Sequence, residues 1–131
     1  MTKALIIEDD LWLLEMYQDS LVSGGIEVLS ASSAESGLST LDSHEDINLI
    51  ILDMFLPSHS GIEFLHEIAS YSDVNKLPII ILSSVSKRDF GMTDERWLHY
   101  GVVEYLYKPQ TKPQDLLGAI KKQLVQTKQA V

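Results

Sequence analysis

Four sets of polar residues in this 131-residue chain fall where their chemistry could be shared. Glu8-Asp9-Asp10 follows the apolar run Ala4–Ile7, Asp53 ends Leu49–Leu52, Ser83-Ser84 ends Ile79–Leu82, and Lys108-Pro109 ends Val102–Tyr107. Carboxylates a few ångströms apart repel by roughly several kcal/mol at an intermediate dielectric. A hard divalent cation relieves that repulsion, and an incomplete oxygen shell that keeps waters suits Mg²⁺, with Mn²⁺ as a substitute. Glu8, Asp9 and Asp53 carry −3, which a divalent cation and Lys108 would return to near neutrality. Such a mouth can accept a phosphoryl group, because it offers a nucleophile, charge neutralisation and positioning. Each residue also has an ordinary reading taken singly: Asp9 or Asp10 as a helix cap, Asp53 as a turn residue, Lys108-Pro109 as loop. Four coincidences at strand ends argue against accident.

The elements that would bring these residues together are legible in outline. Five short runs rich in Ile, Leu and Val (the four above and Ile26–Leu29) alternate with segments of helical character. The first, third and fourth are continuously apolar, as expected of strands covered on both faces. Leu13, Met16, Tyr17 and Leu21 share one face of a first helix, stopped by Gly24-Gly25. Ser33 to Leu41 reads as a second helix capped by Ser32 or Ser33, and Gly61 to Ala69 as a third carrying Ile62, Leu65 and Ile68. Asp89 to Tyr100, ended by Gly101, reads as a fourth. A fifth starts near Pro113 and presents Leu117, Ile120 and Leu124. Strict alternation of strand and helix implies an α/β doubly wound parallel sheet with helices on both faces. In such sheets the ligand crevice lies at the C-terminal strand ends, where all four polar sets fall.

Composition excludes several classes of function. The chain has no cysteine, so disulfide scaffolds, thiol nucleophiles and cysteine-ligated metals are out. No apolar run approaches the ~20 residues needed to span a bilayer, and Met1-Thr2-Lys3 leads into a strand pattern instead of a signal peptide, so the expected location is cytoplasmic. The net charge of −9 disfavours nonspecific binding to nucleic acid or anionic membrane. It is lopsided: residues 1–75 hold 14 acids and one base, Lys3, while residues 76–131 hold 5 acids and 9 bases. No Gly-rich phosphate loop follows the first strand, which argues against a nucleotide site.

The ordered motifs Ile6-Ile7-Glu8-Asp9-Asp10, Leu52-Asp53-Met54 with Leu56-Pro57 and Gly61, Leu77-Pro78 through Ser83-Ser84, and Tyr105-Leu106-Tyr107-Lys108-Pro109 cover nearly the whole chain. Together they resemble the receiver domain of bacterial two-component response regulators. The resemblance implies a flavodoxin-like three-layer sandwich of chemotaxis type, with five parallel strands in order 2-1-3-4-5 and five helices. It implies a receiver unit over residues 1–125, with 126–131 as a polar tail or the start of a linker. Asp53 would accept phosphate from a sensor histidine kinase or a histidine phosphotransfer protein. Asp9 would bind Mg²⁺ directly, Glu8 mostly through water, and the Phe55 carbonyl would add a ligand. Lys108 would pair with a phosphate oxygen, Ser83 would turn its hydroxyl toward the phosphoryl group, and Tyr105 would move inward behind it. The Lys-Pro bond is often cis in the family. The loop after the fourth strand would then shift, altering contacts of the fourth helix, fifth strand and last helix with a downstream protein or output domain, or with a second copy in a homodimer.

Some residues depart from the family pattern. Ser60 stands where Asp is common, the stretch from Ser84 to Lys108 is a few residues longer than the pattern, and Phe55 and Val85 are apolar where polar groups could orient a water. Slow self-hydrolysis of the phosphorylated form is therefore expected. No separate substrate turnover is expected. Two rival readings are a Mg²⁺-dependent phosphohydrolase, which would want an acid where Phe55 stands, and a degenerate receiver that only binds partners. His44, His59, His66 and His99 show no metal-ligand spacing. Trp12 reads as a kinase-docking residue or as a packed aromatic.

Overall fold

The computed structural model describes residues 2–56, 61–71 and 77–129. The three continuous apolar runs form the middle of the sheet: β1 (Lys3–Ile7), β3 (Leu49–Leu52) and β4 (Ile79–Ser83), flanked by β2 (Glu27–Ala31) and β5 (Val102–Tyr107). All pair in parallel in the order β2-β1-β3-β4-β5, as expected. Side chains alternate between two apolar layers because the strand period is two. Leu5, Ile7, Ile50, Leu52, Ile79 and Ile81 face one layer, and Ala4, Ile6, Leu49, Ile51, Ile80 and Leu82 the other. At roughly 1.5–3 kcal/mol per buried aliphatic side chain, these twelve residues hold the sheet far more firmly than any surface ion pair.

Helices α1 (Leu11–Ser23) and α6 (Pro113–Gln129) cover the second layer, and α2 (Ala34–Ser43) and α3 (Gly61–Tyr71) the first. Asp10 caps α1, accepting from the N–H groups of Trp12 at 3.0 Å and Leu13 at 3.2 Å. Ser33 caps α2 in a reciprocal box with Ser36. The buried face of α1 is Leu14, Tyr17 and Leu21, with Leu13 only partly buried and Met16 exposed. The α6 backbone continues past residue 125 to Gln129.

Three expectations need correction. Among the described residues the helices number six, not five: the segment expected as one helix from Asp89 to Tyr100 is two, α4 (Lys87–Phe90) and α5 (Asp94–His99). Ser86 and Thr93 each cap a separate start, accepting from Asp89 N and Arg96 N. Gly91 ends α4 in the left-handed region at φ +81, which a Cβ would disfavour. The Lys108–Pro109 bond is trans and lies within a 3₁₀ turn over Lys108–Gln110. The second strand also lies slightly later than expected, since the N–H of Ile26 still serves the end of α1 through Leu21 O.

Candidate functional site

Strand register assembles the site. Leu52 of β3 pairs with Ile7 of β1 on one side and Ile81 of β4 on the other, and Ser83 pairs with Tyr107 of β5. The residues one step beyond Ile7, Leu52 and Tyr107 are Glu8, Asp53 and Lys108, so parallel pairing delivers them to the same rim. Backbone bonds fasten that rim: the Asp53 N–H donates to Ile7 O and the Glu8 N–H to Ala31 O, both at 3.0 Å.

Lys108 Nζ lies 2.6 Å from Glu8 Oε1 and 3.2 Å from Asp53 Oδ2. Both carboxylates are buried, Glu8 at 2% and Asp53 at 5% exposure. Glu8 Oε1 has this ion pair and no well-formed hydrogen bond. Burial, reinforced by hydrogen bonding and charge from Asp53 and opposed by Lys108, pushes the Glu8 carboxyl up to about 7. Burial alone would lower the Lys108 ammonium, but Glu8 and Asp53 outweigh it and hold it above its ordinary value. The mouth therefore carries more negative charge than one lysine neutralises.

Asp9 is exposed at the same rim, and one carboxylate oxygen each from Glu8, Asp9 and Asp53 lies within 4.8 Å of the others. It is the one such cluster among the described residues. Hard oxygens, surplus negative charge and an open side suit a divalent cation that keeps its waters. Asp10 is spent on the α1 cap and stays outside the cluster.

The surrounding groups are positioned by short local bonds. Asp53 Oδ1 accepts from Phe55 N at 3.0 Å, which fixes the carboxylate plane while the Phe55 ring stands half exposed. Ser83 is fully buried, and its Oγ accepts from Val85 N at 3.1 Å. The Tyr105 hydroxyl donates to Val85 O at 2.5 Å, so in this structure the phenol already lies against the loop after β4. Burial raises its pKa, opposed by hydrogen bonding with Ser83.

The profile of the response regulator receiver domain family matches residues 4–121. The chain belongs to that family. Among its relatives, the transcriptional regulatory protein MalR of Bacillus subtilis is 34% identical over 83% of this chain and 45% of its own length. The KDP operon transcriptional regulatory protein KdpE of Escherichia coli is 33% identical over 83% of this chain and 45% of its own length. The receiver domain thus spans about half the length of these curated relatives. A receiver domain protein from Clostridium thermocellum superposes with a TM-score of 0.83 at 31% identity, each chain fully covered. The response regulator TrrA from Thermotoga maritima, solved in complex with Mg²⁺-BeF, gives a TM-score of 0.76 at 26% identity over 93% of this chain and 98% of its own. This is a two-component receiver domain, a family in which phosphorylation is typical, and not a conventional enzyme.

Other residues singled out in the sequence resolve differently. Trp12 is 79% exposed on α1, which removes the packed-aromatic reading. His44 Nδ1 meets Thr40 O near the end of α2, and His66 bonds the Tyr100 hydroxyl. Pro57, His59 and Ser60 lie outside the described residues. No described helix is long and apolar enough to cross a membrane. Sequence reasoning missed the Val85 carbonyl as the acceptor for Tyr105. Backbone acceptors leave no compositional trace, and the loop length alone carried no signal for it.

Proposed function

We propose that Asp53 is the phosphoacceptor of this receiver domain. A carboxylate oxygen of Asp53 attacks the phosphorus of a phosphohistidine on a sensor kinase or phosphotransfer protein. The new O–P bond makes an acyl phosphate, the P–N bond breaks, and its electron pair stays on the imidazole. Glu8, Asp9, Asp53 and the Phe55 carbonyl would hold Mg²⁺, which when bound would neutralise charge building on the phosphoryl oxygens. Mn²⁺ shares these oxygen preferences and is the substitute to try.

Lys108 is the carrying observation: its ammonium already touches both Glu8 and Asp53. It is free to follow a phosphoryl oxygen once Asp53 is esterified. Ser83 would turn its hydroxyl toward the same group, and Tyr105 follows the loop through Val85 O. Phosphorylation replaces a −1 carboxylate by a group of about −2 with new acceptor oxygens, so the loop packing that supplies those donors gains population. Output is then read by protein contact on the face of α5, β5 and α6, where Leu98 and Val103 are exposed. The reader there is an output domain or a second copy.

Incubation with acetyl phosphate and Mg²⁺, read by intact mass, tests the acceptor. Wild type should gain ~80 Da for one phosphoryl group and Asp53→Asn nothing, since an amide is not a competent nucleophile. An equal gain in both proteins would reject Asp53.

A further inference from the structure

Val85 is held from both sides. Ser83 Oγ accepts from its N–H at 3.1 Å and the Tyr105 hydroxyl donates to its carbonyl at 2.5 Å. The seat of the loop after β4 therefore depends on where the Tyr105 ring lies. That ring is only half buried on β5, an edge strand, and a phenol there can satisfy its hydroxyl with water equally well. A large apolar neighbour stands against it. Trp97 of α5, 2% exposed, meets Tyr105 edge-on with centroids 5.3 Å apart, and lies 5.2 Å from Phe90 of α4. Three rings thus run from α4 through α5 to β5. The Trp97 indole N–H is buried without a hydrogen-bond partner among the described residues, so this residue contributes through its ring surface and not through its donor.

We propose that Trp97 is a positioning residue for the phosphorylation site: packed against Tyr105, it keeps the phenol hydroxyl on Val85 O and so presets the Ser83 loop to receive a phosphoryl group. The inference rests on Asp53 being the acceptor. A protein whose competent loop packing is only partly populated binds a phosphoryl mimic more weakly by that fraction. Removing Trp97 lowers the fraction without touching Glu8, Asp9 or Asp53.

Beryllofluoride titrated in the presence of Mg²⁺, followed by fluorine NMR and calorimetry, tests it on the full chain, with Mg²⁺ alone as control. Trp97→Leu should weaken beryllofluoride binding by about fivefold or more, the lower end of usual coupling between sites, and leave affinity for Mg²⁺ alone unchanged. Trp97→Phe should keep most of the affinity. Tyr105→Phe keeps the ring contact and removes only the hydroxyl. It should weaken binding as Trp97→Leu does, and the double variant should be no weaker than either, because both act through one link. Unchanged affinity in either single variant, or additive losses in the double, overturns the inference. Unchanged affinity in Tyr105→Phe overturns the inference even where Trp97→Leu does not fold, and Trp97→Phe then carries the test of the ring contact. A wild type that binds no beryllofluoride defeats Asp53 as acceptor. Wild-type binding that is indifferent to both substitutions defeats only the role of Trp97.

Discussion

Lys108 Nζ stands 3.2 Å from Asp53 Oδ2 across 55 positions of sequence. On the proposed mechanism, the cation that would meet a phosphoryl oxygen already rests on the carboxylate that would accept the group. It also competes with a bound metal, since two unit charges ~4 Å apart interact by about 4 kcal/mol at an effective dielectric of 20.

Replacing that lysine should separate its two effects. Lys108→Met is expected to bind Mg²⁺ more tightly, because a positive neighbour is gone, and yet to be phosphorylated by acetyl phosphate more slowly. A rate loss of about tenfold corresponds to only about 1.4 kcal/mol, a modest share of the electrostatic contribution. Calorimetry for the metal and intact mass against time for the rate would check both. A variant phosphorylated at the wild-type rate would contradict the role of Lys108.

Glu8 predicts a pH dependence of stability in the metal-free protein. Its carboxyl titrates at about 7 in the folded state against an ordinary value of 4.5. Below pH 4.5 it is protonated in both states, and between the two values only the folded state keeps the proton. Stability from this group is therefore fully present at low pH and is lost as pH rises through about 7. The loss is on the order of 3 kcal/mol and should appear in urea unfolding of wild type but not of Glu8→Gln. Bound Mg²⁺ requires the ionised form, so its affinity should climb toward pH 7 and then level, with proton release on binding. A wild-type profile parallel to that of Glu8→Gln would refute the shift.

The acyl phosphate should be long-lived. Phe55, two beyond Asp53, and Val85, two beyond Ser83, offer no side-chain group to orient an attacking water. After removal of acetyl phosphate, the phosphorylated mass should persist well past seconds. Phe55→Glu should shorten its lifetime, by up to about 10²-fold if the new carboxylate acts as a general base. Wild-type decay within seconds would speak against this account.

Two glycines should respond in opposite directions to alanine. A Cβ at Gly61, which opens α3, would sit 2.6 Å from the Met54 Cα in the turn after Asp53. Backbone cannot yield as a side chain can, so Gly61→Ala should cost about 1–3 kcal/mol and disturb the site. At Gly118, inside α6, a Cβ meets nothing within 4 Å, and alanine should stabilise by up to about 1 kcal/mol through helix propensity. Thermal unfolding of the two variants would check both signs.

Much of this molecule could be read along the chain, because the deciding interactions there are local. Continuous apolar runs mark β1, β3 and β4, Asp10 and Ser33 mark helix starts, and the alternation of elements leaves one sensible sheet. The clustering of Glu8, Asp9, Asp53, Ser83 and Lys108 at one rim follows from strand polarity alone. Tertiary structure decided the rest. Ser86, Gly91 and Thr93 break the expected fourth helix because two competing caps and a left-handed turn together outweigh a weak helical pattern. Leu14, not Met16, turns inward because contact with the sheet sets the rotation of α1. Tyr105 reaches Val85 O, and Trp97 reaches Tyr105, through pairings between residues far apart in sequence, whose distances exist only once β4 and β5 have found their register.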